Sequence, residues 1–217
     1  DTFLRPRGIL SFSYPAARRL DIRGRVERAV GQLSFGQFVD GVDLAEEFDT
    51  AGNTSLVPQQ SWLAELEFET RVTNDEKIIV RIIGEQIEDL IVRGLIDGRD
   101  ALVNTDEASR LRLETEGTIL LDRWSVPGGR VDFSYIRRAT QLNDPITLES
   151  RPFNNARDWR YSADFRQDVF ATPYAWGFRL QGRDDTSSVR SDEVRTISDS
   201  KPDYRVFFEH KDLMGLN

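Results

Sequence analysis

A chain of 217 residues is long enough for one domain, or for one part of a larger one. Its net charge of −8 and pI near 4.9 argue against a nucleic-acid binder, which carries a basic footprint, and the lack of cysteine excludes disulfide scaffolds and thiolate metal sites. The composition is 39% hydrophobic and 30% charged with mean hydropathy −0.48, and no run nears the ~18 apolar residues that a membrane helix needs.

The pattern is one repeated unit: a period-2 segment, a tight turn, a second period-2 segment and a long polar loop. The first pair is predicted at residues 3–14 and 18–29, turned by Pro15-Ala16-Ala17. There Leu10, Phe12 and Tyr14 share a face with Leu20, Ile22, Gly24 and Val26, and Asp21, Arg23, Arg25 and Glu27 take the other. A stretch rich in Gly, Asp and Asn follows over 31–59, with a short helix expected at 44–48. The second pair is 60–72 and 77–88 around Thr73-Asn74-Asp75-Glu76. Its first strand alternates Trp62, Ala64, Leu66 and Phe68 against Glu65, Glu67, Glu69 and Arg71, the cleanest alternation in the chain. Its second strand, 78–87, is apolar on both faces.

A loop is expected over 89–108, then a third pair at 109–121 and 130–138 turned by Val126-Pro127-Gly128-Gly129. Leu111, Leu113, Thr115, Ile119 and Leu121 line up on one side, and Arg110, Arg112, Glu114 and Glu116 on the other. After a loop over 139–157 the fourth pair spans 158–169 and 174–183 around Phe170-Ala171-Thr172-Pro173. Pairing Val169 with Tyr174 would set Phe165 beside Phe178 on the apolar face and Asp164 beside Arg179 on the ionic face. Both are favourable cross-strand pairs, so one register satisfies both faces. A last loop, 184–202, leads to a ninth strand at 203–210.

Alternation alone fits a soluble sandwich equally well. Three features favour a membrane wall. The strands run about 10 residues, the length a tilted membrane strand needs, against about 5–6 in globular proteins. Short and long connections alternate strictly. Aromatics gather at strand ends: Phe12, Tyr14, Trp62, Trp124, Trp159, Tyr161, Tyr174 and Trp176. The fold class expected is therefore all-β, an antiparallel up-and-down meander of about nine long strands forming part of a transmembrane β-barrel wall. The ionic face would line a wetted lumen, where Glu and Arg pair or meet water.

Two segments carry a family resemblance. Gly52-Asn53-Thr54-Ser55-Leu56-Val57-Pro58-Gln59-Gln60-Ser61-Trp62 resembles the Asn-Pro-x-Leu-x-Pro-Glu-x-Ser signature of TonB-dependent outer-membrane receptors, matching at Asn53, Leu56, Pro58 and Ser61. Thr54 replaces the usual Pro and Gln59 the usual Glu. Arg112-Leu113-Glu114-Thr115-Glu116 is similar to their Gly-x-Glu-x-Glu strand, one hairpin and one loop further on, with Arg112 at the Gly position. The resemblance implies a barrel of about 22 strands in the bacterial outer membrane, bathed in its lipid. An N-terminal plug fills such a barrel, and TonB powers import of a scarce extracellular ligand: a siderophore, cobalamin or saccharide. Residues 1–217 would be a single partial barrel domain from the C-terminal part, without plug or final strands. The start Asp1-Thr2-Phe3-Leu4-Arg5 has no export signal, and the end Leu216-Asn217 is not the usual terminal Phe, so an excised or processed piece is expected. A porin-like barrel, and a soluble β domain binding carbohydrate or a partner, remain as alternatives.

No catalytic residue, metal ligand set or cofactor is expected. His210 is the only histidine, and a lone His is usually structural. The Glu65/Glu67/Glu69 ladder could suggest glycoside hydrolysis, but reads better as a lumen surface awaiting partners such as Arg81. Asp97-Gly98-Arg99-Asp100 reads as a loop, with weak Ca²⁺ binding as the lesser reading. The loops at 31–59, 89–108, 139–157 and 184–202 would capture ligand. Phe35, Phe38, Phe153 and Arg99 are unranked contacts within them.

Overall fold

A computed structural model describes residues 6–38, 41–43, 48–190 and 193–211. Nine strands follow one another in a single antiparallel meander: β1 (Gly8–Ala17), β2 (Leu20–Val30), β5 (Gln60–Arg71), β6 (Lys77–Ile96), β7 (Arg99–Leu120), β8 (Gly129–Asn143), β10 (Trp159–Asp168), β11 (Tyr174–Arg183) and β14 (Asp203–His210). The shorter β3 (Gly41–Asp43), β4 (Phe48–Ala51), β9 (Ser150–Arg151), β12 (Thr186–Val189) and β13 (Val194–Ile197) lie within the long excursions. The all-β meander expected from the sequence is thus the fold, as a wall open at β1 and β14 rather than a closed ring.

Period-2 alternation sets which side chains share a face, and the register carries it from strand to strand. One row runs Phe12–Gly24–Leu66–Ile82–Leu113, and a parallel row on the same face runs Tyr14–Ile22–Phe68–Val80–Thr115–Tyr135–Tyr161. The fourth hairpin has the register that satisfies both faces: Phe165 opposite Phe178, their rings stacked at 5.3 Å, and Asp164 opposite Arg179, which are ion-paired. β6, apolar on both sides, sets Ile78, Val80 and Ile82 on the apolar face and Ile79, Ile83 and Ile87 among the charges.

Burial runs opposite to that of a water-soluble protein. Leu66, Leu113, Phe178 and Trp62 are 36, 37, 43 and 51% exposed, with no second protein layer over them among the described residues. On the charged face Glu67, Glu69 and Ile83 are only 8, 5 and 6% exposed. Side chains crowd one another on the ionic side and stand uncovered on the hydrocarbon side.

Several expectations need correction. The first turn is Arg18-Arg19, not Pro15-Ala16-Ala17: β1 runs to Ala17 with a register shift between Pro15 and Ala17. Pro15 lacks an N–H, but β1 is an edge strand, where that loss is tolerated. Residues 89–108 are no loop. β6 and β7 continue pairing to Ile96 and Arg99 in one unbroken register, closed by Asp97-Gly98 with φ of 51° and 76°. Positive φ at both positions makes a type I′ turn, whose twist suits a hairpin and which Asp-Gly favours. So the short–long alternation of connections fails here in length, although the hairpin still rises past the β5 end, on the side of the long loops. β8 likewise extends to Asn143, and β12 and β13 form a hairpin inside 184–202. The helix expected at 44–48 falls mostly outside the described residues, and Phe48 begins β4. Trp124, expected at a strand end, sits in a 3₁₀ turn (Asp122–Trp124) beneath the Arg123 guanidinium at 4.3 Å.

Gly98→Ala forces a Cβ into the left-handed region and is expected to cost about 1–2 kcal/mol. Gly8→Ala, where an added Cβ meets nothing within 4 Å, should stay within about 0.5 kcal/mol of the parent. Denaturant midpoints of the two variants check this.

Candidate functional site

The ionic face divides by height. Toward the short turns, charge is paired. Arg23 Nη1 donates to Glu67 Oε1 at 2.5 Å and to Glu69 Oε2 at 2.8 Å, and Arg71 Nε reaches Glu69 at 2.5 Å. Arg81 Nε donates to Glu67 Oε2 at 2.5 Å, and its Nη1 lies 3.1 Å from Glu116 and 3.7 Å from Glu114. The carboxylate ladder thus has Arg81 as a partner, as expected, and a belt of alternating charge crosses β2, β5, β6 and β7. Such charge-assisted bonds are the strong class of hydrogen bond, and they make the belt a structural tie rather than a pair of free catalytic carboxylates.

Toward the long loops the balance changes. Arg112 on β7 stands directly opposite Arg138 on β8, and Arg160 on β10 directly opposite Arg183 on β11. The like charges acting on Arg138 are those of Arg112, Arg110 and Arg160. Among the described residues neither Arg138 nor Arg160 makes a salt bridge. A recess of about 600 Å³ opens here, lined by Arg138, Arg160 and Arg183 with Arg157 and Asn155 from the loops and Ser134 and Ser162 at its floor. Ser134 Oγ and Ser162 Oγ are 2.9 Å apart. Asp199 draws in two of the cations, 2.6 Å from Arg183 Nη2 and 3.1 Å from Arg157 Nη2.

The loops around the recess are tied down. The Arg138 amide donates to the Asp158 carbonyl at 2.7 Å and the Asp184 amide to the Trp159 carbonyl at 2.9 Å, closing the strand ends beneath them. Asn154 holds Val189 from both sides, donating to its carbonyl at 2.9 Å and accepting from its amide at 3.1 Å. The Asp185 carboxylate accepts the Asp199 and Ser200 amides at 2.6 and 3.0 Å. Those donors hold it below the ordinary carboxylate range. Asp144, buried at the start of its loop, accepts the Ile146 and Thr147 amides at 2.8 and 3.0 Å and pairs with Arg151. Burial pushes its carboxyl up, but Arg151 and the two amides outweigh burial and hold it below the usual range.

The signature segment has a structural explanation. Asn53 Oδ1 accepts the Ser55 amide at 2.9 Å while its Nδ2 donates to the Leu102 carbonyl at 2.8 Å, and Leu56 is buried. Asn104 on the tall hairpin holds Val57 twice, Oδ1 accepting its amide and Nδ2 donating to its carbonyl, both at 2.9 Å. The motif pins the returning leg of the first long loop to β7.

The unranked contacts do not converge on the recess. Phe153 packs on the Ile87–Ala108–Leu142 cluster beneath the Arg110 guanidinium, 5.7 Å away. Phe35 and Phe38 sit at a 3₁₀ turn (Phe35–Gln37), and Arg99 begins β7 at the hairpin tip. His210 ends β14 with its ring 4.9 Å from Tyr174. Asp97-Gly98 is a hairpin turn rather than an open loop. The arginine recess was not anticipated. Its sequence signal is an Arg of one parity near the long-loop end of each of three successive long strands, Arg138, Arg160 and Arg183, visible only once the strands are aligned.

No protein-family model matches the sequence, and no curated protein sequence matches it. Solved structures do share the fold. The siderophore receptor PirA from Pseudomonas aeruginosa aligns with a TM-score of 0.61 at 12% identity, over 92% of this chain and 41% of that one. The FrpB iron transporter from Neisseria meningitidis gives 0.60 at 8% identity, over 92% and 30%. The ferric enterobactin receptor PfeA from P. aeruginosa, in complex with enterobactin, gives 0.59 at 12%, over 92% and 32%. The chain has the barrel-wall fold of these receptors and spans about a third of their length.

Because Arg151 and the two amides lower the folded carboxyl below its unfolded value, Asp144 contributes stability fully above about pH 4 and loses it as pH falls through its folded value. Hydrogen exchange should show Ile146 and Thr147 amides equally protected from neutral pH down to about 4 and deprotected below. Asp144→Asn should weaken that protection at neutral pH and remove its further loss below about pH 4.

Proposed function

We propose that this chain is part of the wall of a TonB-dependent receptor in the bacterial outer membrane, a single partial barrel domain that imports a scarce ligand of the siderophore or iron class. The observation that carries this reading is the uncovered hydrocarbon face set against a charged opposite face. Charge in hydrocarbon is costly, whereas both signs can be wetted or paired in a lumen. A soluble sandwich would cover that apolar face with a second sheet, and none lies over it among the described residues. The ligand class rests on the fold neighbours, which are siderophore receptors and an iron transporter rather than enzymes. A porin shares the wall but has no need of the pinned motif at residues 53–57.

The outward face ends in aromatics suited to an interface: Trp159 stacked on Tyr161 at 5.7 Å, and Tyr174 on Phe208 at 5.4 Å. From Trp159 to Phe165 to Trp176, opposite Gln167, the face spans about 26 Å of strand at ~3.3 Å per residue. That is comparable to the roughly 25 Å apolar band of such barrels before tilt is considered. An N-terminal plug and TonB would be its partners through other parts of the receptor, on the charged side.

Leu113→Arg, at mid-height on the apolar face, is expected to cost about 2–4 kcal/mol when folding into lipid vesicles is followed by denaturant titration. Ser11→Glu on the ionic face opposite Arg25 should change it by less than about 0.5 kcal/mol. Equal tolerance of both, or a monodisperse monomer in water without detergent, would refute the membrane assignment.

A further inference from the structure

The arginine recess points to the charge of its ligand. We propose that it binds a polyanion, a rigid compound with at least two acidic groups that bridges the guanidiniums of β8, β10 and β11. This deepens the receptor reading and rests on it for the source of the ligand.

The charge count is the first argument. Six arginines cluster at the outer end of the ionic face: Arg110, Arg112, Arg138, Arg157, Arg160 and Arg183. Their ion-pair partners are three carboxylates: Glu85 at 3.2 Å from Arg110, Glu114 at 3.1 Å from Arg112, and Asp199 shared by Arg157 and Arg183. That leaves three cations over (six less three). Like charges directly opposite each other on neighbouring strands are destabilising, and this wall sets two such pairs in register, Arg112–Arg138 and Arg160–Arg183. The lower half of the same face shows the alternative, where each guanidinium of the belt finds its carboxylate. Self-pairing is therefore within reach of this sheet, and the outer cluster departs from it.

The second argument is unmet hydrogen bonding. The Nε atoms of Arg110 and Arg138 are buried without a hydrogen-bond partner. Buried donors are nearly always satisfied, and a charged one left unmet is costly. A planar guanidinium can donate two parallel hydrogen bonds to an oxyanion, as a lysine cannot. The third argument is spacing. Adjacent strands lie about 4.8 Å apart, so the three that carry Arg138, Arg160 and Arg183 spread the cations over roughly 10 Å. One small ion cannot bridge that width, whereas a multiply charged chelate can. A recess in which Arg138, Arg157, Arg160, Arg183 and Lys201 outnumber Asp199 and Asp203 also concentrates anions from solution.

The test uses the intact protein in detergent and two iron complexes of similar size, a trianionic ferric tris-catecholate and an uncharged ferric tris-hydroxamate. Binding is read by quenching of tryptophan fluorescence over a salt series. The catecholate should bind at least tenfold more tightly than the hydroxamate, with an affinity that falls as salt rises. Arg138→Gln and Arg160→Gln should each weaken it about tenfold, and together by more, while Arg18→Gln in the first turn leaves it unchanged. Arg138→Lys should keep part of the salt dependence. Equal binding of both complexes, no binding of either, or retention of the preference in the double Arg→Gln variant would overturn the proposal. So would a double variant that binds normally but loses its heat-resistant folded band on gels, since the arginines would then serve a neighbouring acidic protein segment. Vesicle insertion is scored separately: protein that enters lipid but binds neither complex overturns the polyanion and leaves the receptor wall standing, whereas protein that stays out of lipid but prefers the catecholate does the reverse.

Discussion

Hydrocarbon on one side of a single sheet and charge on the other, with no protein covering the first, is the constraint on which the rest of the structure depends. A strand cannot choose its faces independently, because neighbouring residues point to opposite sides. A shift of one residue in any hairpin would therefore exchange Leu66 for Glu67 and carry ionised groups into the apolar side. The pairing sums hold without interruption across β5, β6, β7 and β8, so this specification propagates over the wall. Glycine contributes where an aromatic needs room: the Phe12 ring occupies the space over Gly24, and the Tyr161 ring that over Gly182.

On the charged side the same alternation yields two different surfaces. Near the short turns Arg23, Arg81, Glu67 and Glu69 neutralise one another within the sheet, and the result is stiffness. Near the long loops guanidiniums predominate, with Glu85 and Glu114 supplied by strands and Asp199 by a loop. The transition needs no change of fold, only a change in which residue types occupy the inward parity. Loop anchors such as Asn154 and Asp144 hold the rim of the second surface in place without contributing to its charge.

Sequence pattern reached the strand pairs because each hairpin carries its own evidence. Asp164 and Arg179 on one face and Phe165 and Phe178 on the other admit a single common register, and the structure has it. Where two rules competed, pattern failed. Pro15 reads as a turn former, yet an edge strand accommodates it and the chain turns three residues later, at Arg18-Arg19. Asp97-Gly98 reads as loop when its flanks are taken as polar, although Leu90, Val92, Leu102 and Val103 have the β-branched and apolar character of paired strands. The arginine recess was least legible, since Arg138, Arg160 and Arg183 come from two hairpins and their neighbourhood exists only after β8 and β10 pair.

Asn104 gives the outer surface a mechanical property. Because one amide side chain grips Val57 through donor and acceptor together, and also donates to the Asp89 carbonyl at 2.7 Å, the returning leg of the first excursion and the tall β6–β7 hairpin behave as a single post. A molecule arriving from outside would meet a fixed pillar on that flank instead of two independent flaps.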